Sequence, residues 1–122
     1  MNKYVGKQAY RNSAVSAPRI EDAHGAITVC LDTLLHNLKI LAEGPDHTSK
    51  LYGKIISKCL TAIYILQTSL DLEKGSVISD NLFKLYEYVK HQVMATSEKE
   101  AVNLDQAIEV VTEITTSWRA IS

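Results

Sequence analysis

The sequence predicts an all-α protein, an antiparallel up-down four-helix bundle preceded by a mobile N-terminal arm. Four segments carry apolar residues at alternating three- and four-residue intervals, the spacing that places side chains on one helical face. Helix-breaking residues, among them Pro18, Gly44-Pro45 and Gly75, precede or separate these segments. No segment shows the two-residue alternation of a strand, and helices with such short connections pack as antiparallel neighbours. We therefore divide the chain into an arm, residues 1–17, and a four-helix bundle, residues 18–122.

Helix A is predicted from Pro18 to about Glu43. Proline suits the first turn of a helix, because the N–H that it lacks has no partner there in any helix. Gly44-Pro45 ends the helix. Gly25, inside the helix, costs about 1 kcal/mol relative to alanine, which predicts that another helix approaches closely there. The apolar residues of helix A are Ile20, Ala23, Ile27, Cys30, Leu31, Leu34, Leu38 and Leu41.

Helix B is predicted to begin near Asp46 or Thr48, either of which can cap a helix N-terminus, and to end near Leu70. Leu60 and Tyr64 widen its apolar face beyond a narrow seam. A wide face on a helix with short connections indicates packing on two sides and leaves surface for a partner. Its remaining apolar residues are Leu51, Ile55, Ile56, Cys59, Ile63, Leu66 and Leu70.

Helix C is predicted from Val77 to about Thr96, and helix D from Ser97 or from near Asn103 to about Ala120. Both candidate starts of helix D can cap a helix N-terminus. The stripe of helix C comprises Val77, Ile78, Leu82, Leu85, Tyr86, Val89 and Val93. The stripe of helix D comprises Leu104, Ile108, Val111, Ile114, Thr115 and Trp118. Because Trp118 is the last residue of this stripe, its indole ring is predicted to pack against the core with the N–H toward an edge.

Composition limits the classes of function. The chain has 122 residues, 46% of them hydrophobic, which is enough for one domain with a real core. The net charge of −1, with acids and bases interspersed, excludes the basic cluster of a nucleic-acid-binding protein. The longest uninterrupted apolar run is shorter than the ~18 residues of a membrane helix, and the N-terminus lacks the apolar centre of a secretory signal. We therefore expect a cytoplasmic protein with no membrane insertion.

No pattern predicts catalysis, a cofactor or a metal. Glu21 and His24 have the Glu-x-x-His spacing of di-iron bundles, but such sites need a second motif, and Glu87 with His91 has the wrong spacing. We therefore expect these side chains to face solvent. The two cysteines, Cys30 and Cys59, lie in separate stripes and are interpreted as buried free thiols.

The stretch from residue 66 to residue 91 resembles the middle of the FliS family of flagellar export chaperones. In that family a helix ends in a Ser-Leu-Asp segment, a Gly-containing turn follows, and the next helix carries Asn-Leu and Leu-Tyr-x-Tyr. The matching positions here are Ser69, Leu70, Asp71, Gly75, Asn81, Leu82, Leu85, Tyr86 and Tyr88. Ala9-Tyr10 followed by Val15, and Trp118 in the last helix, also resemble the family. Residues 20–26 carry charge where the family is apolar.

The resemblance implies a non-enzymatic cytoplasmic chaperone without a cofactor. Such a protein binds the disordered C-terminal segment of flagellin, prevents its premature polymerisation and delivers it to the flagellar type III export apparatus, whose export gate components are further partners. The arm is expected to occupy an apolar groove when no client is bound. A structural or regulatory bundle that pairs with another helical protein is the alternative. The candidate partner-binding residues are Tyr10, Ile56, Leu60, Ile63, Tyr64, Asn81, Leu82, Leu85, Tyr86 and Val89.

Four of these candidates are predicted to face outward. The apolar stripes of helices B and C are wider than a bundle interior requires, so the outer members of each should line an exposed groove, which usually marks a partner site. The residues expected on the outside are Leu60, Tyr64, Tyr86 and Val89.

Overall fold

Four amphipathic segments fold as helices in a computed structural model, which describes residues 20–71, 77–98 and 104–120. They are α1 (Ile20–Ala42), α2 (Lys50–Thr68), α3 (Val77–Ser97) and α4 (Leu104–Arg119), and they correspond to predicted helices A to D. The all-α prediction is confirmed. The predicted arm with Tyr10, the start of helix A at Pro18 and the turn at Gly75 lie outside the described residues.

The helices form a ring in which α1 packs against α2 and α4, and α3 packs against the same two helices. Neighbouring helices run antiparallel. The hydroxyl of Tyr52, near the start of α2, donates to the carbonyl of Thr96, near the end of α3, over 2.9 Å. His24, near the start of α1, likewise meets Trp118, near the end of α4. The arrangement is the antiparallel four-helix bundle that the short connections predict.

The core is built from the inward stripe of every helix. Each fully buried leucine, isoleucine or valine contributes roughly 1.5–3 kcal/mol relative to an exposed one, so this stripe is the main source of stability. Fully buried members include Leu31, Leu34, Leu38, Cys59, Leu66, Tyr86, Val89, Val93 and Val111.

Within α1, the segment Ala23–Ala42 is long and apolar enough to cross a membrane by length and composition, contrary to the expectation from uninterrupted apolar runs. The same helix forms one wall of the bundle and supplies Leu31, Leu34 and Leu38 to the core. The core helix of a soluble protein can have the same length and apolar composition as a membrane span. A single helix of this kind is therefore weak support for membrane insertion.

The helix ends differ from the prediction in detail. Ser49, rather than Asp46 or Thr48, caps α2, and its hydroxyl accepts from the backbone N–H of Tyr52 over 3.2 Å. Asp46 instead organises the preceding turn, because its carboxylate accepts from both the backbone N–H and the hydroxyl of Thr48. These contacts lower the pKa of Asp46, the backbone contribution being the larger. Gly44 adopts φ 74°, the left-handed conformation that ends α1.

The fourth helix begins at the later of its two predicted starts, at Leu104, while Ser97 still belongs to α3. The expected close approach at Gly25 is wrong. A Cβ added there would meet no atom within 4 Å, because Gly25 lies on the exposed side of α1. Gly25 therefore only weakens the helix locally.

Candidate partner-binding surfaces

Four of the ten candidate residues are part of the core. Ile63, Leu82, Tyr86 and Val89 are each at most 4% exposed. The expectation that Tyr86 and Val89 face outward is wrong, because the spacing of three and four residues from Leu82 through Tyr86 and Val89 to Val93 follows the centre of the buried face of α3. A partner therefore cannot reach these side chains while the bundle is closed.

Three candidates on α2, Ile56, Leu60 and Tyr64, form an outward ridge. They are four residues apart, so they lie in one row along the helix. Ile56 and Leu60 are half-buried against the core, whereas Tyr64 is 68% exposed. We call these three residues the α2 ridge.

The α2 ridge lies on the side of α2 that faces α3. Gln67, three residues from Tyr64 and on the same side of the helix, donates to the carboxylate of Glu87 over 2.9 Å and to the carbonyl of Phe83 over 3.4 Å. The Phe83 side chain is half-buried and packs against the core across the same seam. An apolar row on α2 thus faces a partly exposed aromatic residue on α3.

A polar cluster closes one end of this seam. The amide of Gln67 is the main cause of a lowered pKa for Glu87, and Lys90, 3.5 Å from the carboxylate, acts in the same direction. His91 lies 3.7 Å from the second carboxylate oxygen. The carboxylate therefore stays ionised at neutral pH and marks the polar limit of an otherwise apolar surface.

Asn81 and Leu85 are exposed on the other side of α3. Leu85 is three residues from Tyr88, whose hydroxyl donates to the side chain of Gln106 in α4 over 2.7 Å. This contact identifies the α4 side of α3, and Asn81 lies one turn before Leu85 in the same row. The structure does not bring these two residues together with the α2 ridge.

A groove between α1 and α2 was missed by the sequence reasoning. It has a volume of about 260 Å³ and a mostly apolar lining. Val29, which is 64% exposed, and Ile65, which is 41% exposed, belong to it. Ala26, Val29 and Thr33, which are three and four residues apart, form a second stripe on α1. The groove could have been predicted from this stripe. The lining residues are Val29, Cys30, Thr33, Ser57, Lys58, Thr61, Ala62 and Ile65.

The first turns of α1 are fastened to the end of α4. His24 was expected to face solvent, but its ring stacks on Trp118 with centroids 4.4 Å apart and planes at 14°. The Trp118 indole N–H donates to the His24 carbonyl and to the Thr28 hydroxyl, and Arg119 pairs with Asp32. The predicted burial of Trp118 is confirmed. This cluster joins the ends of the chain's helical part.

Acid, thiol and imidazole groups are scattered rather than clustered. Among residues 20–71, 77–98 and 104–120, no group of three His, Cys, Asp or Glu side chains could hold a metal ion. Cys30 is half-buried and Cys59 is buried, and both thiols are free. Burial raises the pKa of Cys59 to about 12 and raises that of Cys30 as well.

Comparison with known proteins finds flagellar proteins. The family model described as flagellar protein FliS matches residues 5–122. A flagellar secretion chaperone FliS from Vibrio cholerae is 33% identical over 70 residues, which are 57% of this chain and 52% of that protein. The flagellar secretion chaperone FliS from Salmonella typhimurium is 28% identical over 123 residues, covering 96% of this chain and 90% of the relative. A flagellar secretion chaperone FliSB from Pseudomonas aeruginosa is 32% identical over 71 residues, 57% of this chain and 56% of the relative.

Two of these three alignments therefore span only about half of the relative's length. No solved structure matches the chain.

Proposed function

The chain belongs to the FliS family, and on that premise we propose that it is a cytoplasmic export chaperone for flagellin. It binds the disordered C-terminal segment of flagellin, keeps it from polymerising prematurely and delivers it to the flagellar type III export apparatus. The observation that carries this proposal is the family match over residues 5–122, together with relatives that are flagellar secretion chaperones. Components of the export gate are proposed as the partners that receive the client.

The bundle offers a surface suited to such a client. A disordered segment that folds on binding spends part of its contact energy on ordering itself, so it needs apolar anchors as well as polar contacts. An amphipathic client helix would lay its apolar side chains along the α2 ridge, beside the half-buried ring of Phe83. Tyr64 offers the largest exposed surface of the ridge, and aromatic residues are enriched among interface anchors.

The client contacts continue beyond this ridge in the proposal. Asn81 and Leu85 lie on the α4 side of α3, so a client that reaches them has to pass around α3. An extended segment does this more easily than a rigid helix, which agrees with a client that is disordered when free. Tyr10 remains a proposed contact in the arm, where it would compete with the client for an apolar groove.

A polymerisation assay tests the proposal. Monomeric flagellin is seeded with filament fragments in the presence of increasing amounts of the chain. We expect one equivalent of the chain to suppress elongation, because a bound C-terminal segment cannot enter the filament. A flagellin truncated at its C-terminus is the control for binding and should not be captured by the chain. Unchanged elongation, with no complex between the chain and full-length flagellin, would refute the proposal and favour the helical-partner alternative.

A further inference from the structure

The groove between α1 and α2 lies beside a row of positive charge. Lys50, Lys54 and Lys58 are exposed and spaced four residues apart, so they form one row on α2, which we call the lysine ridge. Lys58 itself lines the groove. Lys54 and Lys50 precede Lys58 by one and two turns of α2, so the lysine ridge leads from the groove toward the start of this helix.

The lysine ridge has no acidic neighbour within α2 or in the groove lining. The sequence of α2 contains no Asp or Glu, and none of the residues that line the groove is acidic. Across the described residues, no ion pair involves any of the three lysines. Three like charges in one helical row repel one another, so an anionic partner would relieve a repulsion as well as form new contacts.

The groove itself is more apolar than the bundle needs. Val29 on α1 and Ile65 on α2 project at the groove while contributing little to the core. Exposed apolar surface with a charged rim is typical of a protein interaction site.

We propose that the α1/α2 groove docks an amphipathic helix of a partner protein that carries carboxylates four residues apart beside an apolar stripe. Its apolar side chains enter the groove next to Val29 and Ile65, and its carboxylates pair with the lysine ridge. Carboxylates at this spacing advance about 6 Å along a helix axis, the same advance as the lysines make along α2. The axial spacing of the carboxylates therefore matches that of the lysines.

The shape of the site favours a helix over other anionic partners. The groove is concave and has two helical walls, the geometry of helix-in-groove recognition, whereas a membrane surface is flat. Nucleic-acid binding uses larger basic patches in which arginine is prominent, and this ridge has three lysines only. The inference does not rest on the proposed chaperone activity, because neither the groove lining nor the lysine ridge includes a residue of the α2 ridge.

The test uses two synthetic helical peptides and the full chain. Both peptides carry the same leucine stripe over about four turns, and one carries glutamates four residues apart where the other carries lysines. Fluorescence anisotropy of the labelled peptides measures their affinities. We expect the glutamate peptide to bind at least about tenfold more tightly than the lysine peptide, with a difference that shrinks as salt rises. Equal affinities, or no binding of either peptide, would overturn the inference.

Charge variants assign the binding to the ridge. The double substitution Lys54→Glu with Lys58→Glu should weaken glutamate-peptide binding by about tenfold or more and improve lysine-peptide binding. The double substitution Lys39→Glu with Lys84→Glu, at exposed lysines that do not line the groove, changes the net charge equally; it is the matched control and should leave both affinities unchanged. An equal loss in the control variant would show non-specific attraction and would count against the ridge.

Apolar variants assign the binding to the groove. Val29→Ser should weaken binding of the glutamate peptide, whereas Val77→Ser, at a residue that is 71% exposed, should not. Circular dichroism confirms that each variant is folded.

Binding to vesicles of anionic lipid tests whether the site contacts a membrane instead. If the chain bound them with the same dependence on Lys54, Lys58 and Val29 but ignored the glutamate peptide, the site would be a membrane contact and the inference would be wrong.

Discussion

Replacing Trp118 by alanine should destabilise the bundle strongly. The ring is 3% exposed and stacks on His24, so the substitution removes both buried apolar surface and an aromatic contact. The indole N–H is shared between the Thr28 hydroxyl at 3.1 Å and the His24 carbonyl at 3.2 Å. One substitution therefore loosens the end of α4 from the start of α1.

The magnitude follows from these contacts. Truncating a buried tryptophan to alanine costs about 3–5 kcal/mol, because a cavity replaces the ring. The hydrogen-bond share is small, about 1 kcal/mol, since the His24 carbonyl still accepts from the Thr28 hydroxyl over 3.0 Å. Trp118→Phe keeps most of the apolar ring and loses the N–H, so it should cost only about 1–2 kcal/mol. The total free energy of unfolding of a domain of this size is roughly 5–15 kcal/mol.

Urea unfolding followed by far-ultraviolet circular dichroism measures both variants. Tyr64→Ala is the control, because a side chain that is 68% exposed should change the free energy of unfolding by no more than about 0.5 kcal/mol. The fluorescence of wild-type protein, which has one tryptophan, should be blue-shifted and move to the red on unfolding. A loss below about 1 kcal/mol for Trp118→Ala, or a red native spectrum, would refute the burial of the ring.

Three further predictions concern buried or paired groups. Cys30 should react with a thiol reagent well before Cys59, because the Cys59 pKa of about 12 leaves almost no thiolate until the protein unfolds. Mass spectrometry of partly labelled protein shows which cysteine reacts first. Equal labelling of the two cysteines would contradict the prediction. Gln67→Met should reduce stability above the ordinary glutamate pKa of 4.5, because the lowered pKa of Glu87 means that its ionised form is the one stabilised in the fold. The difference from wild type should shrink as the pH falls below that value, and unfolding curves across acidic pH show whether it does. Tyr52→Phe should cost about 1–2 kcal/mol in urea unfolding, because a buried carbonyl near the end of α3 loses its donor, and a neutral result would mean that water replaces the hydroxyl.

Periodicity determined most of the fold in advance. Each stripe with three- and four-residue spacing forms a helix, because a helix places residues at this spacing on one face. That face can then be buried in the core. The ends were harder to predict. Asp46, Thr48 and Ser49 are all good capping residues, and only the three-dimensional turn decides that Ser49 reaches the N–H at the third helical position.

The candidate site was less predictable than the fold. A wide apolar stripe shows that some residues are surplus to the core but does not locate the centre of the buried face, which depends on where neighbouring helices lie. The stripe alone therefore predicts that Tyr86 and Val89 face outward, although both are fully buried. His24 stacks on Trp118, which is 94 residues later in the chain. No local sequence pattern therefore predicts this contact. Comparison with relatives, rather than geometry, carried the family assignment.

The α2 ridge is the proposed binding surface for the C-terminal segment of flagellin. Titrating a flagellin C-terminal peptide into wild-type protein, Tyr64→Ala and the exposed control Val77→Ala tests it most directly by calorimetry. We predict that wild type and Val77→Ala bind alike, and that Tyr64→Ala loses about 1 kcal/mol or more, roughly a fivefold weaker affinity, while staying folded. Wild-type protein that fails to bind the peptide, or a Tyr64→Ala variant that binds as wild type does, would contradict the claim.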